Sequence, residues 1–203
     1  MKYHEKKISE FLEELSSQAS VPGGGSASAL VGALGASLLG MVSHFTLDKK
    51  GYEKFSGEVK KILFESYRVR DRLSRLIDED VQSYLKVSGA QRAARLLTRK
   101  ESKERVLKAA LRRALASSLN ICKASHRGLL VSKRVIQIGN KNLKSDAKAA
   151  ALFLSASFHA AFLMSEANIQ WLKDDAVSKR IGKILLSLRE EVENTMEEIQ
   201  KEK

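Results

Sequence analysis

An all-α fold, a bundle of about five to seven helices, follows from three observations on the sequence. The 203 residues hold a single proline, Pro22, and only 12 glycines. Three of those glycines fall together at Gly23, Gly24 and Gly25, which leaves few breakers anywhere else. Apolar residues recur three and four apart along most of the chain, the spacing of an amphipathic helix. With 43% hydrophobic content, this length predicts one soluble domain over residues 1–203 with a sizeable core of its own.

The elements can be taken in order. Ile8, Phe11, Leu12 and Leu15 place a first helix over about Lys2 to Gln18. The Ser20-Val21-Pro22-Gly23-Gly24-Gly25-Ser26 stretch ends it. Ser26 then reads as the N-cap of a helix running to about Thr46, since its hydroxyl can accept from the unpaired amides of a first turn. A third helix spans about Glu53 to Val87, and Ser88-Gly89 marks a break. Residues 90–100 read as a short basic helix or loop. A long helix follows over about Ser102 to Ile138, with a possible kink near Gly128. Gly139-Asn140 reads as its left-handed cap. Ser145 or Asp146 caps a helix ending near Trp171, and an amphipathic helix covers about Asp175 to Glu202.

The second helix is unusual in its composition. It carries Gly32, Gly35 and Gly40 among alanines and serines. A mid-helix glycine costs about 1 kcal/mol against alanine, so this helix needs another backbone or a ligand close against it. The glycine loop before it is a tight turn. Its amides, followed by a helix N-terminus, also make a site for negative charge or a carbonyl.

Two polar residues interrupt apolar faces. Leu73, Ile77, Asp80 and Tyr84 share one face of the third helix, while Asp78 and Glu79 point away from it. A carboxylate there costs several kcal/mol unless paired or protonated, which makes Asp80 a candidate for acid–base work or for a buried ion pair. Asn168 lies in line with Ala161, Met164 and Leu172 and needs partners of its own.

Composition excludes several classes. Cys122 is the only cysteine, and His4, His44, His126 and His159 are not at ligand spacing, so neither a disulfide framework nor a metal site is expected. The uncharged run from Leu15 to Leu47 has an apolar part of about 16 residues, short of the ~20 a membrane span needs. A cytoplasmic protein with no membrane segment is expected. The formal charge is +12, and the segment from Lys86 to Asp146 alone holds 16 Lys or Arg against 3 Asp or Glu. Such a middle suits an anionic partner or simply a solvated face. Aromatics are 6% of the chain and none interleaves with the basic run, which disfavours nucleic acid.

Pro22-Gly23-Gly24-Gly25-Ser26, followed by a small-residue helix ending in Met41-Val42, resembles the opening of the formiminotetrahydrofolate cyclodeaminase / methenyltetrahydrofolate cyclohydrolase family. Leu76-Ile77-Asp78-Glu79-Asp80 resembles that family's Asp-x-Asp segment. Gly139-Asn140, Ser145-Asp146 and Asn168 follow in the family's order, so the resemblance covers about Phe11 to Glu198. Two positions depart from it: Met164 stands where the family often has Asn, and Ser118 where it often has Pro.

The resemblance implies a helical bundle that dimerises and acts on a reduced folate without a metal or redox cofactor. It implies cyclisation of 5-formiminotetrahydrofolate to 5,10-methenyltetrahydrofolate with loss of ammonia or, alternatively, hydrolysis of the methenyl bridge to 10-formyltetrahydrofolate. Asp80 would be the proton acceptor. Gly23, Gly24, Gly25 and Ser26 would line the pocket, and Asn140, Asp146 and Asn168 would orient the pterin and its reacting nitrogens. Lys49, Lys50, Lys141 or Lys144 would meet the anionic glutamate tail. A diverged helical protein without activity, binding nucleic acid or another anion, is the remaining alternative.

Overall fold

The computed structural model describes residues 2–47 and 49–202. Its order is α1 (Ile8–Leu15), α2 (Gly24–Leu47), α3 (Ser56–Leu96), α4 (Lys100–Ile138), α5 (Lys144–Leu172) and α6 (Asp175–Lys201), with single 3-10 turns at Tyr3–Glu5, Glu53–Phe55 and Lys141–Leu143. The described residues contain no strand. The all-α reading holds, with six helices.

Several boundaries differ from expectation, each for a local reason. α1 is half the expected length. The chain before it is pulled onto α3, where the Asp78 carboxylate accepts the Tyr3 amide and contacts the His4 ring. α2 starts at Gly24, so Ser26 lies inside the first turn instead of capping it. The expected break at Ser88-Gly89 is absent, and α3 runs through it to Leu96. Val87 and Ala90 pack on Ala110, Leu111 and Leu115 of α4, and this small second core holds the α3/α4 hairpin helical past its weak glycine. Nor is α4 interrupted at Gly128. Gly139 is extended (φ −73°, ψ 174°), not left-handed. Asn140 instead caps the next 3-10 turn by accepting the Asn142 amide. α5 starts at Lys144, with Asp146 in its first turn, where a negative charge suits the helix dipole.

The main core is formed by α2, α3, α4 and α5, with α6 laid over α4 and α5. Leu39, Leu73, Leu76, Ile121, Leu129, Leu154 and Phe158 are among its fully buried side chains. Buried hydroxyls between the helices are mostly returned to their own backbone. Ser43, Thr46 and Ser66 donate to the carbonyls of Leu39, Val42 and Ile62 one turn back.

α2 and α5 run antiparallel in close contact, because Gly24 lies by Met164, Gly32 by Ser157 and Gly35 by Ala150. A β-carbon at Gly35 would stand 2.9 Å from the Ala150 carbonyl oxygen. Overpacking of this kind costs about 1–3 kcal/mol, more than the ~1 kcal/mol that alanine gains in helix propensity. Gly35→Ala is therefore expected to lower the midpoint of denaturant unfolding at unchanged slope. A raised midpoint would mean that the two helices part freely.

Candidate active site

A cavity of about 220 Å³ opens at the N-terminal end of α2, where α3, α4 and α5 converge on it. Its wall includes Gly23, Gly24 and Gly25 from the loop and first turn, Asp80, Ser83 and Tyr84 from α3, Ala114 from α4, and Met164, Asn168 and Trp171 from α5.

Asp80 sits half-buried in this wall. One carboxylate oxygen accepts the Ser26 hydroxyl at 2.9 Å, and the carboxylate also accepts the Ser26 amide. It makes no ion pair among the described residues, so it is not half of a buried salt bridge. Burial pushes its pKa above the ordinary carboxylate value, and the two Ser26 bonds oppose that rise. Gly25 lets the carboxylate come this close: a β-carbon there would lie 2.2 Å from an Asp80 oxygen. Ser26 therefore serves the carboxylate from within the helix turn, a role that its reading as a cap does not suggest. The Gly24 and Gly25 amides belong to the first turn and have no intrahelical acceptor, so they can donate into the cavity.

Asn168 faces Asp80 across the cavity from α5. Its side-chain nitrogen donates to Ser118 Oγ of α4 at 3.4 Å, and Ser165, one turn earlier on α5, donates to the same oxygen at 2.9 Å. The Ser118 hydroxyl itself donates to the carbonyl of Leu115 or Ala114 in its own helix. Its lone pairs are thus turned toward Asn168, and the Asn168 carbonyl oxygen is left for a ligand donor. Met164 stands over Gly24, sulfur to the position of a β-carbon at 3.5 Å, and narrows the cavity there.

Asn140 and Asp146 do not join this group within one protomer. Asn140 lies at the C-terminal end of α2, beside Phe45 and Thr46 and about 30 Å away along a helix that rises 1.5 Å per residue, and Asp146 lies in the first turn of α5, beside the second half of α2. Asn140 donates its side-chain nitrogen to the Phe45 carbonyl and accepts Lys49 Nζ at 2.6 Å. Together with His44 these residues line a second cleft, of about 470 Å³. Six of the eight expected residues therefore gather at one end of α2 and two at the other.

Sequence reasoning missed Ser83 and Trp171 as lining residues, and Ser118 as the partner of Asn168. Trp171 is the only tryptophan and stands 59% exposed, a signal available in hindsight. No cluster of three potential metal ligands occurs among the described residues. Cys122 is buried and its thiol is pushed up to about 12, so it is no nucleophile.

Residues 7–185 match the model of the formiminotransferase-cyclodeaminase family. The methenyltetrahydrofolate cyclohydrolase of Methylorubrum extorquens is 32% identical over 85% of this chain and 83% of its own. The formimidoyltransferase-cyclodeaminase of Rattus norvegicus is 24% identical over 89% of this chain, which spans about a third (34%) of that protein. Among solved structures, the formiminotetrahydrofolate cyclodeaminase of Thermotoga maritima superposes with a TM-score of 0.89 and 25% identity, covering 97% of this chain and 95% of the other.

Proposed function

Because the chain belongs to the formiminotransferase-cyclodeaminase family, we propose that it is a one-carbon enzyme working at the bridge between N5 and N10 of a reduced folate. The observation that carries this is Asp80, an unpaired and partly desolvated carboxylate in a cavity of the right chemistry. Gly24 and Gly25 amides would hold a substrate carbonyl or carboxylate, and the Asn168 oxygen would accept a pterin N–H.

Two reactions share this site and the intermediate N5–CH(X)–N10. With X hydroxyl, Asp80 takes a proton from water as it attacks the methenyl carbon and returns it to N5 as the carbon–N5 bond breaks; the hydroxyl gives up its own proton to solvent, and 10-formyltetrahydrofolate leaves. The similarity to a cyclohydrolase along nearly its whole length favours this reading. With X amino, Asp80 takes the N10 proton as N10 attacks the formimino carbon and returns it to the departing ammonia. The similarity to a solved cyclodeaminase along nearly its whole length favours that one. Both are proton transfers, and a positioned carboxylate contributes about 10²–10⁴-fold to such a step. We place the enzyme in the cytoplasm, without a cofactor and as a homodimer.

An absorbance assay tests the reading. Purified protein is expected to consume the methenyl chromophore, to generate it from 5-formiminotetrahydrofolate with release of ammonia, or both. Silence with both substrates would overturn the assignment. In the active reaction, Ser26→Ala removes a bond that favours the Asp80 anion. The acidic limb of the pH–rate profile is therefore expected to move to higher pH, and a limb that stayed in place would mean that it reports another group.

A further inference from the structure

α3 and α4 lie side by side and antiparallel, and a ladder of charge laces them together. Glu58 of α3 pairs with Arg134 of α4, whose Nη2 donates to it at 2.8 Å. Seven residues further along α3, Glu65 accepts Nε and Nη2 of Arg127 at 2.8 and 2.6 Å. The next rung is broken. Another seven residues along each helix stand Arg72 and Asn120, so α3 offers a cation where the pattern calls for a carboxylate, and α4 an amide where it calls for an arginine. Arg72 instead turns along its own helix to Glu79, with Nη1 at 2.5 Å and Nη2 at 3.2 Å.

At this break the two helices leave a cleft of about 320 Å³. Val69 and Ala124 lie between its walls, and the walls carry four guanidinium groups: Arg68, Arg72 and Arg75 from α3, and Arg127 from α4. Steps of four and three residues put the first three on one face of their helix. The charges around the cleft do not balance. Arg68 and Arg127 share Glu65, Arg70 takes Asp71 at the rim, and Arg72 takes Glu79. Arg75 has no carboxylate among the described residues; its Nε donates to the Asp71 carbonyl at 3.1 Å, and both Nη groups are left over. Five arginines thus meet three carboxylates, an excess of two positive charges.

A guanidinium presents its donors as a planar fork that matches the oxygens of a phosphate group. Such a group carries about −1.5 to −2 at pH 7, which answers the excess. The exposed ion pairs around it are weak, so they yield or share a donor at little cost. The cleft is also within the ~300–1,000 Å³ usual for small-molecule sites, room for more than an ion. We infer that it is a binding site for a phosphate group, free or carried by a small molecule whose apolar part rests on Val69 and Ala124. Arg75 and Arg127 hold the group from opposite walls. The cleft shares no residue with the Asp80 cavity, and the inference does not rest on the folate reading.

Calorimetric titration of the full chain with inorganic phosphate, at an ionic strength held constant with sodium chloride, is expected to show saturable binding of one phosphate per chain. The melting temperature should rise with phosphate concentration in step. Arg75→Gln and Arg127→Gln, both at exposed positions, are each expected to weaken binding about 10-fold or more, the usual worth of a hydrogen bond to a charged group. Arg75→Lys keeps the charge without the fork and should fall between wild type and Arg75→Gln. Arg105→Gln removes an equal charge from an exposed position of α4 outside the cleft and should leave the affinity unchanged. Phenyl phosphate that binds more tightly than inorganic phosphate would assign the site to a phosphorylated small molecule; equal affinities would assign it to the free ion. No saturable binding at millimolar phosphate would overturn the inference. So would a loss with Arg105→Gln equal to that with Arg75→Gln, because attraction to a chain of net charge +12 would then suffice. Binding that survived both Arg75→Gln and Arg127→Gln would place the phosphate elsewhere and overturn it too. None of these measurements uses a folate, so failure of the folate reading would leave the phosphate site standing.

Discussion

Asp80→Asn is expected to lower turnover about 10²–10⁴-fold while leaving the fold intact and, at neutral pH, more stable. The two effects have one cause. Burial in the cavity wall disfavours the anion and raises its pKa above the unfolded value. A raised carboxyl imposes nothing below the unfolded pKa. Its penalty grows as pH rises between the two values and is complete above the folded one. Asparagine keeps the shape beside Gly25 and can still accept the Ser26 bonds, but carries no charge. Melting temperatures should therefore be higher for the variant at pH 7 and converge with the wild type in acid. A variant that melted below the wild type at pH 7 and kept its turnover would remove Asp80 from both roles.

Gly25→Ala is expected to do comparable damage to turnover by a different route. The new methyl would stand 2.2 Å from an Asp80 oxygen and 2.5 Å from its carboxyl carbon, distances that no side chain tolerates. Either Asp80 swings off Ser26 or α2 moves away from α3. Activity should fall ~100-fold or more through misplacement of a group whose position decides the chemistry. Stability should fall by about 1–3 kcal/mol despite the better helix former. The pair of changes is coupled, so Gly25→Ala combined with Asp80→Ala should recover most of the lost stability, which denaturant melts would read directly. If the double variant were as unstable as the sum of its parts, the clash would lie elsewhere.

The residues most legible in the sequence were those that break a pattern. Asp80 stands in an apolar stripe, and three adjacent glycines fit no regular element; the structure brings both to one cavity. Less legible were features set by contacts distant in the chain. Ser26 reads locally as a helix cap, but its hydroxyl turns to a carboxylate 54 residues away. Ser88-Gly89 reads locally as a break, but packing across the α3/α4 hairpin overrides the propensity. Asn140 and Asp146 carry the family's motif order, and motif order says nothing about which end of a 24-residue helix a side chain will occupy. Ser118 stood out only as a departure from the family pattern, and its role as the partner of Asn168 could not be read, since a serine on a helix is indistinguishable from filler until its partner is seen.

The hydroxyls that turn back on their own helices have a consequence for how this fold can change over time. Ser43 and Ser66 close their bonds one turn back, so the neighbouring helix meets only a small, chemically quiet bump. Alanine at Ser43 or Ser66 would occupy nearly the same volume and forfeit one locally made bond. The helix spacing therefore depends on side-chain bulk at these positions and is indifferent to which small residue supplies it. A bundle held this way can exchange serine for alanine at contact after contact while its axes stay where they are. Its architecture then outlasts most of the letters that once encoded it.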